Sequence, residues 1–305
     1  MKPDLIICGD LHLRQDTPIC RTDDFLEVQR NCLQKIKALK TIFKCTIVCT
    51  GDVFHHWEKS KRPSSAFWVW LLENIPFMYA IAGNHDLPSK SFNSIEDSPL
   101  NVLSYLGKIR LIHDYYNINI DKKLLYLKAF HYGDKIESAP AVDKHGPYLV
   151  ALVHKLINHP SSGTTSNELI KAMPGFDLIA TGDNHQSFTD SYKGCILINP
   201  GCMTRQKTDE ANYTPTVYLW NTKGEVEAVN LNEDCPISRK HIEVKEEKEK
   251  RFTELTDKMQ QSSDNMGIAF ENNLKVKLEE SGESKQVKTM IWESVEHALK
   301  INQKG

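Results

Sequence analysis

No Cys-x-x-Cys pair occurs among the eight cysteines of this 305-residue chain, and Cys45 and Cys49 sit inside an apolar stretch. That usage argues against a disulfide framework and for reduced, buried thiols in a cytoplasmic protein. Long apolar runs are missing as well. The longest, Ala66 to Leu72, falls far short of the roughly 20 residues needed to cross a bilayer, so no membrane association is expected. Charge of one sign is also lacking: the formal net charge is −2, which excludes global attraction to nucleic acid and leaves only local patches for it. No solenoid-length repeat and no long low-complexity tract are found. The N-terminus carries Asp4 and reaches a candidate ligand at Asp10, which argues against a cleavable signal peptide. What remains is a chain with 40% hydrophobic residues, enough for one large domain and a small one.

Against these absences stand three short segments, Gly9-Asp10-Leu11-His12, Gly51-Asp52-Val53-Phe54-His55 and Gly83-Asn84-His85-Asp86. Each follows an apolar run (Leu5 to Cys8, Ile47 to Cys49, Tyr79 to Ile81) and places an Asp, Asn or His beside a glycine. Side chains just past the C-terminal ends of buried strands point into the crevice where α/β sheets bind ligands. Two further segments share the pattern: His154 closes the run Leu152-Val153, and Gly182-Asp183-Asn184-His185 follows Leu178 to Thr181. The candidate ligands are therefore Asp10, His12, Asp52, Asn84, His154, Asp183 and His185. Mixed carboxylate, amide and imidazole donors suit Mn²⁺, Fe²⁺ or Zn²⁺ better than an all-oxygen cage. Seven ligands exceed one tetrahedral site but suit two metals sharing a carboxylate, a pair that clamps the attacking and leaving oxygens of an in-line displacement.

The surrounding pattern supplies a frame. Phe25, Val28, Cys32, Ile36 and Leu39 recur at helical spacing, with Thr22, Asp23 or Asp24 as cap. A strand over 46–49, a helix opening at Ser64 or Ser65 and a strand over 77–82 complete a βαβαβ order that implies parallel pairing. Short strands are expected at 109–112, 124–130, 148–153, 176–180, 196–198, 217–220 and 226–231, the last two joined by an Asn221-Thr222-Lys223-Gly224 hairpin turn. This reads as an α/β fold in which a mixed sheet becomes a two-sheet sandwich flanked by helices. Composition shifts near Cys235-Pro236, so residues 1–235 form one domain. Residues 236–305 form a small α/β module, with a strand over 273–278 and an amphipathic helix carrying Val287, Ile291, Val295 and Leu299.

Taken together, the five segments resemble the calcineurin-like metallophosphoesterase superfamily over roughly residues 4–200. The resemblance implies a two-sheet β-sandwich flanked by helices and two divalent metal ions, Mn²⁺ before Mg²⁺. It assigns Asp10, His12, Asp52 and His185 to one metal and Asp52, Asn84, His154 and Asp183 to the other, with Asp52 bridging. It also implies a solvent-derived nucleophile, catalysis by His85 at the leaving oxygen, and Asp86 as the group that sets the tautomer of His85. The family's last motif ordinarily reads G-H-x-H; Asp183 stands where a histidine is usual, which hardens the site toward Mn²⁺ or Mg²⁺ or weakens the second metal.

Two segments, Gly51 to His55 with Arg62-Pro63-Ser64, and Asn199-Pro200-Gly201-Cys202 with Arg205 and Glu210, are similar to signatures of the SbcD family of double-strand-break nucleases. That resemblance implies a DNA phosphodiesterase, a 3′ exonuclease and single-strand or hairpin endonuclease. It further implies a homodimer working with an SbcC-like coiled-coil ATPase, and a C-terminal DNA-binding cap. His55 matches the family's extra active-site histidine. Lys59, Lys61, Arg62 and Arg205 are candidate DNA contacts, although Arg205 equally suits a loop-ordering pair with Glu210. The Lys-rich stretch from Arg239 to Arg251 is interleaved with glutamates and reads as a solvated helix. His56, His113, His131, His145 and His159 are expected to be structural. Phe67, Trp68, Trp70 and Leu71 are expected in the core, with Trp68 or Trp70 as a dimer-face candidate. Two other functions share these motifs: a phosphodiesterase for non-DNA substrates, and a catalytically weak scaffold subunit of an ATPase complex.

Overall fold

Strand β1 (Leu5–Cys8) is buried on both faces, and its alternation explains the architecture. Ile6 and Cys8 face one apolar cluster, whereas Leu5 and Ile7 face another. A strand covered on both sides belongs inside a layered α/β fold. The computed structural model describes residues 1–56, 62–142, 146–158, 165–232, 237–262 and 267–302. They fall into two compact units, 1–239 and 240–305.

In the first unit β1 is followed by α1 (Phe25–Phe43), β2 (Thr46–Cys49), α2 (Ser65–Asn74), β3 (Met78–Ala80), α3 (Pro99–Tyr105) and β4 (Ile109–Leu111). The four strands pair in parallel. Helix α1 starts where the Asp24 side chain accepts from Glu27 N–H at 3.0 Å and ends at Lys44 in the left-handed region. Its Cys32, Leu33 and Ile36 are wholly buried, worth about 1.5–3 kcal/mol for each large side chain. Ser64 caps α2. There Phe67, Trp70 and Leu71 are core residues, so Trp70 is removed from the dimer-face candidates.

The second sheet is built from β5 (Tyr115–Ile120), β6 (Lys123–Phe130), β7 (Tyr148–His154), β8 (Leu178–Gly182), β9 (Phe188–Tyr192) and β10 (Cys195–Asn199), with α4 (Ser166–Ala172) between β7 and β8. The chain then returns to the first sheet with β11 (Thr216–Trp220) and β12 (Val226–Asn230). The sheet orders are β12-β11-β1-β2-β3-β4 and β5-β6-β7-β8-β10-β9. Inner-face residues of both sheets, among them Leu5, Ile7, Val48, Val150, Leu152, Leu178 and Ala180, form one cluster. The outer face of the second sheet packs Leu149, Ala151, Val153 and Ile179 on Leu169 and Ile170 of α4. The expected sandwich flanked by helices is the observed one.

Two strands were not foreseen. β5 reads Tyr-Tyr-Asn-Ile-Asn-Ile and β9 Phe-Thr-Asp-Ser-Tyr. Both are edge strands, so polar residues are tolerated and the apolar signal is thin. The Asn221 turn does join β11 to β12, closed by Gly224 N–H donating to Asn221 O at 2.9 Å.

The second unit corrects an expectation. Its described residues form α5 (Lys240–Ser262), α6 (Gly267–Glu280) and α7 (Lys285–Asn302), and the strand expected over 273–278 lies inside α6. Lys275-Val276-Lys277-Leu278 alternates like a strand, but Lys, Leu and Glu are good helix formers. Gly282, at φ 64°, follows the helix as a typical terminator. The unit is helical among the described residues, not α/β.

Candidate metal centre

The site grows from the ends of parallel strands. Beyond β1 and β2 the two loops keep pairing: Asp10 N–H donates to Gly51 O (3.1 Å), His12 N–H to Asp52 O (2.9 Å), Leu13 N–H to Val53 O (2.9 Å) and His55 N–H back to Leu13 O (3.2 Å). Held this way, Asp10, His12 and Asp52 adopt positive φ (44°, 44° and 50°), as does Asp183 (80°) after β8. Such conformations cost of order 1–3 kcal/mol each and gather at functional sites. Close approach explains the flanking glycines. A Cβ on Gly83 would lie 2.1 Å from Asp52 Oδ1, and one on Gly51 2.5 Å from His154 Nδ1.

The candidate ligands converge in two sets that share one residue. Donor atoms of Asp10, His12 and Asp52 lie within 4.8 Å of one another, as do those of Asp52, His154 and Asp183. Asp52 Oδ2 is 3.7 Å from His12 Nε2, and its Oδ1 is 3.5 Å from His154 Nε2. His185 Nε2 lies 3.1 Å from His12 Nε2, and Asn84 Oδ1 lies 3.0 Å from His154 Nε2. Asp183 N–H donates to both oxygens of Asp10 at 3.1–3.2 Å.

Outer partners orient these ligands. His154 Nδ1 faces the Thr50 carbonyl at 2.7 Å, and His185 Nδ1 faces the Glu210 carboxylate at 2.6 Å. Each ring therefore keeps its proton on Nδ1 and turns the Nε2 lone pair inward, the usual dress of metal-ligating histidines. Glu210 is held in turn by Gln206 N–H (2.6 Å) and Lys207 N–H (3.0 Å). Buried Asn199 braces the His185 loop by donating to the carbonyls of Asn184 and Gln186, both at 2.7 Å.

With the Nδ1 protons so engaged, the inward Nε2 of His154 meets the oxygens of Asn84 and Asp52, and that of His185 meets the His12 ring; a cation is what that geometry calls for. Proton affinities tell the same story. Burial lowers the pKa of His154, yet the Asp52 and Asp10 carboxylates outweigh it and bring it up to about 10. His185, opposed by burial, is raised by its bond to Glu210 and by Asp10. Burial above all, with Asp52 adding, lifts Asp10 to about 7. Burial pushes Asp52 upward too, but His154 and His12 hold it below the usual carboxylate range. Protons here stand in for positive charge that the donor set is built to receive, so the residues fit a pair of divalent ions.

The calcineurin-like phosphoesterase profile matches residues 4–187. The chain belongs to that family. As a calcineurin-like phosphoesterase it is a metal-dependent phosphoester hydrolase. Among solved structures it is similar to a putative 5′-nucleotidase of Staphylococcus aureus, at 13% identity and TM-score 0.49, over 75% of this chain and 54% of that one. A novel archaeal phosphodiesterase is similar at 16% identity and TM-score 0.37, over 74% and 98%. The NAD nucleotidase of Haemophilus influenzae is similar at 13% identity and TM-score 0.41, over 74% and 48%. The phosphoesterase thus spans about half the length of the two nucleotidases. No curated protein matches it.

All seven candidate ligands of this phosphoesterase are brought together at one strand-end crevice. His85 and His55 border it: their rings stack at 5.3 Å, and His85 lies 4.8 Å from the His12 ring. Two assignments need correction. Asp86 does not set the His85 tautomer. Its carboxylate accepts from Val53, Phe54 and Gly83 N–H at 2.9–3.1 Å, while His85 Nδ1 bonds to the His55 carbonyl at 2.8 Å. Asp86 therefore ties the second and third ligand loops together, because three converging amide donors are a better partner for a buried carboxylate than one ring.

Arg205 is no DNA contact: it is 4% exposed and donates through Nε to the Tyr213 carbonyl. Arg62 is exposed, with an N–H 3.5 Å from the Asp97 carbonyl; Lys59 and Lys61 lie outside the described residues. His131 is buried and structural, whereas His145 and His159 lie outside the described residues. The orienting roles of Glu210 and Asn199 were missed. Both lie in the quoted Asn199 to Glu210 signature, so the signal was present without a partner to attach it to.

Proposed function

We propose that this phosphoesterase is a two-metal phosphodiesterase acting on DNA, cleaving 3′ ends and single-stranded or hairpin segments as a homodimer with an SbcC-like ATPase. The sharing of Asp52 between two ligand sets carries the two-metal reading. Asp10, His12, Asp52 and His185 would hold one ion; Asp52, Asn84, His154 and Asp183 would hold the other, Mn²⁺ being favoured by the carboxylates. When bound, the ions supply Lewis acidity and activation of water. The chain's own part is orientation and proton movement. His85 N–H donates to Asp52 Oδ1 at 2.8 Å, which fixes the shared carboxylate. With Nδ1–H donated to His55 O, His85 presents Nε2 toward the leaving oxygen, to which its imidazolium form would pass the Nε2 proton.

What supports DNA as substrate is that both SbcD-like segments place a residue at this centre, His55 and Glu210. His55 holds His85 through its carbonyl, and Glu210 holds His185. The deciding experiment incubates Mn²⁺-loaded protein with end-labelled duplex and hairpin DNA. Cleavage is expected, and hydrolysis of bis(p-nitrophenyl) phosphate with all DNA left intact would reject the DNA substrate. His85→Ala should abolish cleavage and still retain both metals, since His85 is not a ligand; metal loss in that variant would refute the role.

A further inference from the structure

His12 belongs to two donor sets at once. Beside the carboxylates Asp10 and Asp52 stands a second set made only of imidazoles: nitrogen atoms of His12, His55 and His85 all lie within 4.8 Å of one another. The rings meet edge to face or stacked, His12 being 4.8 Å from His85 and 5.3 Å from His55 between centroids, and His55 5.3 Å from His85. Two of their nitrogens, His12 Nδ1 and His55 Nδ1, are buried and find no hydrogen-bond partner among the described residues. The His12 side chain is 2% exposed. His85 commits Nδ1 to the His55 carbonyl and so keeps Nε2 for another partner. Buried polar atoms are ordinarily paired, and neither an anchoring carboxylate nor a backbone group takes these.

We propose that His12, His55 and His85 form a third, imidazole-only cation site that selects Zn²⁺ over Mn²⁺ or Mg²⁺ and silences the enzyme when filled. The inhibitory half of the proposal rests on the two-metal phosphodiesterase reading; the binding half does not. Ligand softness makes the selection. The sets around Asp10 and Asp52 mix carboxylates with imidazoles and accept Mn²⁺ or Mg²⁺, whereas a set of imidazole nitrogens alone favours zinc, which also ranks above manganese in general affinity. Zinc bonds imidazole nitrogen at about 2.0–2.1 Å, so modest ring rotations bring three nitrogens onto one ion and leave a fourth position for solvent. Filling the site draws His12 away from Asp10 and Asp52 and occupies the Nε2 that His85 needs for proton delivery. Both losses follow from one binding event, because His12 and His85 each face two ways.

The test titrates Zn²⁺ into the 305-residue chain already loaded with Mn²⁺, following bound metals by elemental analysis after desalting and affinity by calorimetry. Co²⁺ added in place of zinc reports coordination through its visible absorption. Zinc uptake should coincide with loss of DNA cleavage, and Co²⁺ should give the intense bands of a tetrahedral, nitrogen-rich site. His55→Asn should weaken zinc binding by at least about tenfold and leave Mn²⁺ content as in the parent; His55→Gln, checked by circular dichroism, guards against misfolding of one variant. Zinc affinity unchanged in both folded variants would overturn the proposal. Absence of a Mn²⁺ pair together with His55-dependent zinc uptake would overturn the two-metal reading alone and leave the imidazole site standing.

Discussion

At Glu210 a single carboxylate decides how well a ligand 25 residues earlier in the chain can work. It is 3% exposed, its Oε1 lies 2.6 Å from His185 Nδ1, and burial of its charge is offset by that imidazole and by two amide donors. Glu210→Gln keeps the shape and removes the charge. Mn²⁺ affinity should fall about 10–100-fold, the range found when such outer partners are altered, and calorimetric titration reads it. Unchanged affinity would show that Glu210 orders the loop and nothing more. Gly83 sets a steric limit at the same scale. A methyl there would sit 2.1 Å from Asp52 Oδ1 and 2.5 Å from Asp52 N, with no flexible side chain to yield. Gly83→Ala should lose both metals, as Asp52 serves both ligand sets, while circular dichroism shows the sandwich intact. Two metals per chain by elemental analysis would contradict the shared role of Asp52.

Among the elements, the seams between strand ends and loops matter more than the strands themselves. His131, at the end of β6, accepts from Ala82 N–H through Nδ1 at 3.0 Å, and its Nε2 faces the His113 carbonyl at 3.1 Å. It thereby pins the start of the Gly83 to Asp86 loop, and Phe92 stacks on its ring at 3.9 Å. A proton on Nδ1 would break the bond to Ala82, and burial likewise holds the pKa below the ordinary value. Because the folded pKa is depressed, the unfolded chain takes up the proton first as pH falls. Stability is complete above about pH 6.5 and declines below it by up to about 1.4 kcal/mol per pH unit for this one group. His131→Asn places an amide oxygen near the accepting nitrogen and does not titrate. The difference in urea-unfolding stability between pH 7.5 and 5.5 should therefore be smaller in the variant, and equal differences would exclude His131 as the source.

Elements of this kind also show where the sequence was legible. β1, β2, β7 and β8 are largely apolar on both faces and end in, or lead within two residues to, Gly, Asp or His, so strands and ligands are readable together. β5 and β9 are edge strands carrying Asn, Asp and Ser, where solvent satisfies one side and no apolar pattern is required. The partners of Asp86 and Glu210 are backbone amides and an imidazole brought close only by folding, and no local pattern encodes which donors will converge on a carboxylate. Arg205 was ambiguous for the same reason: its sequence neighbourhood does not reveal that it lies under the Tyr213 carbonyl.

Across the whole molecule, every candidate ligand and every outer partner lies in residues 1–239, and so do the three apolar clusters, whose last member is Leu231. Residues 240–305 form their own compact unit, in which Lys and Glu interleave along α5. Such a unit offers little net charge to a phosphate backbone, and any hold on DNA must come from shape or from local contacts. A chain ending at Arg239 should therefore fold, bind two Mn²⁺ ions and hydrolyse bis(p-nitrophenyl) phosphate at the rate of the 305-residue chain. The salt dependence of KM for duplex DNA should change little in the shortened chain, since the mixed charges of the helical unit exchange few counterions. A steep loss of salt dependence would instead place the main phosphate contacts in the helical unit. Loss of metal binding on truncation would show that the centre depends on residues beyond 239, contrary to the confinement of all its ligands to the first unit.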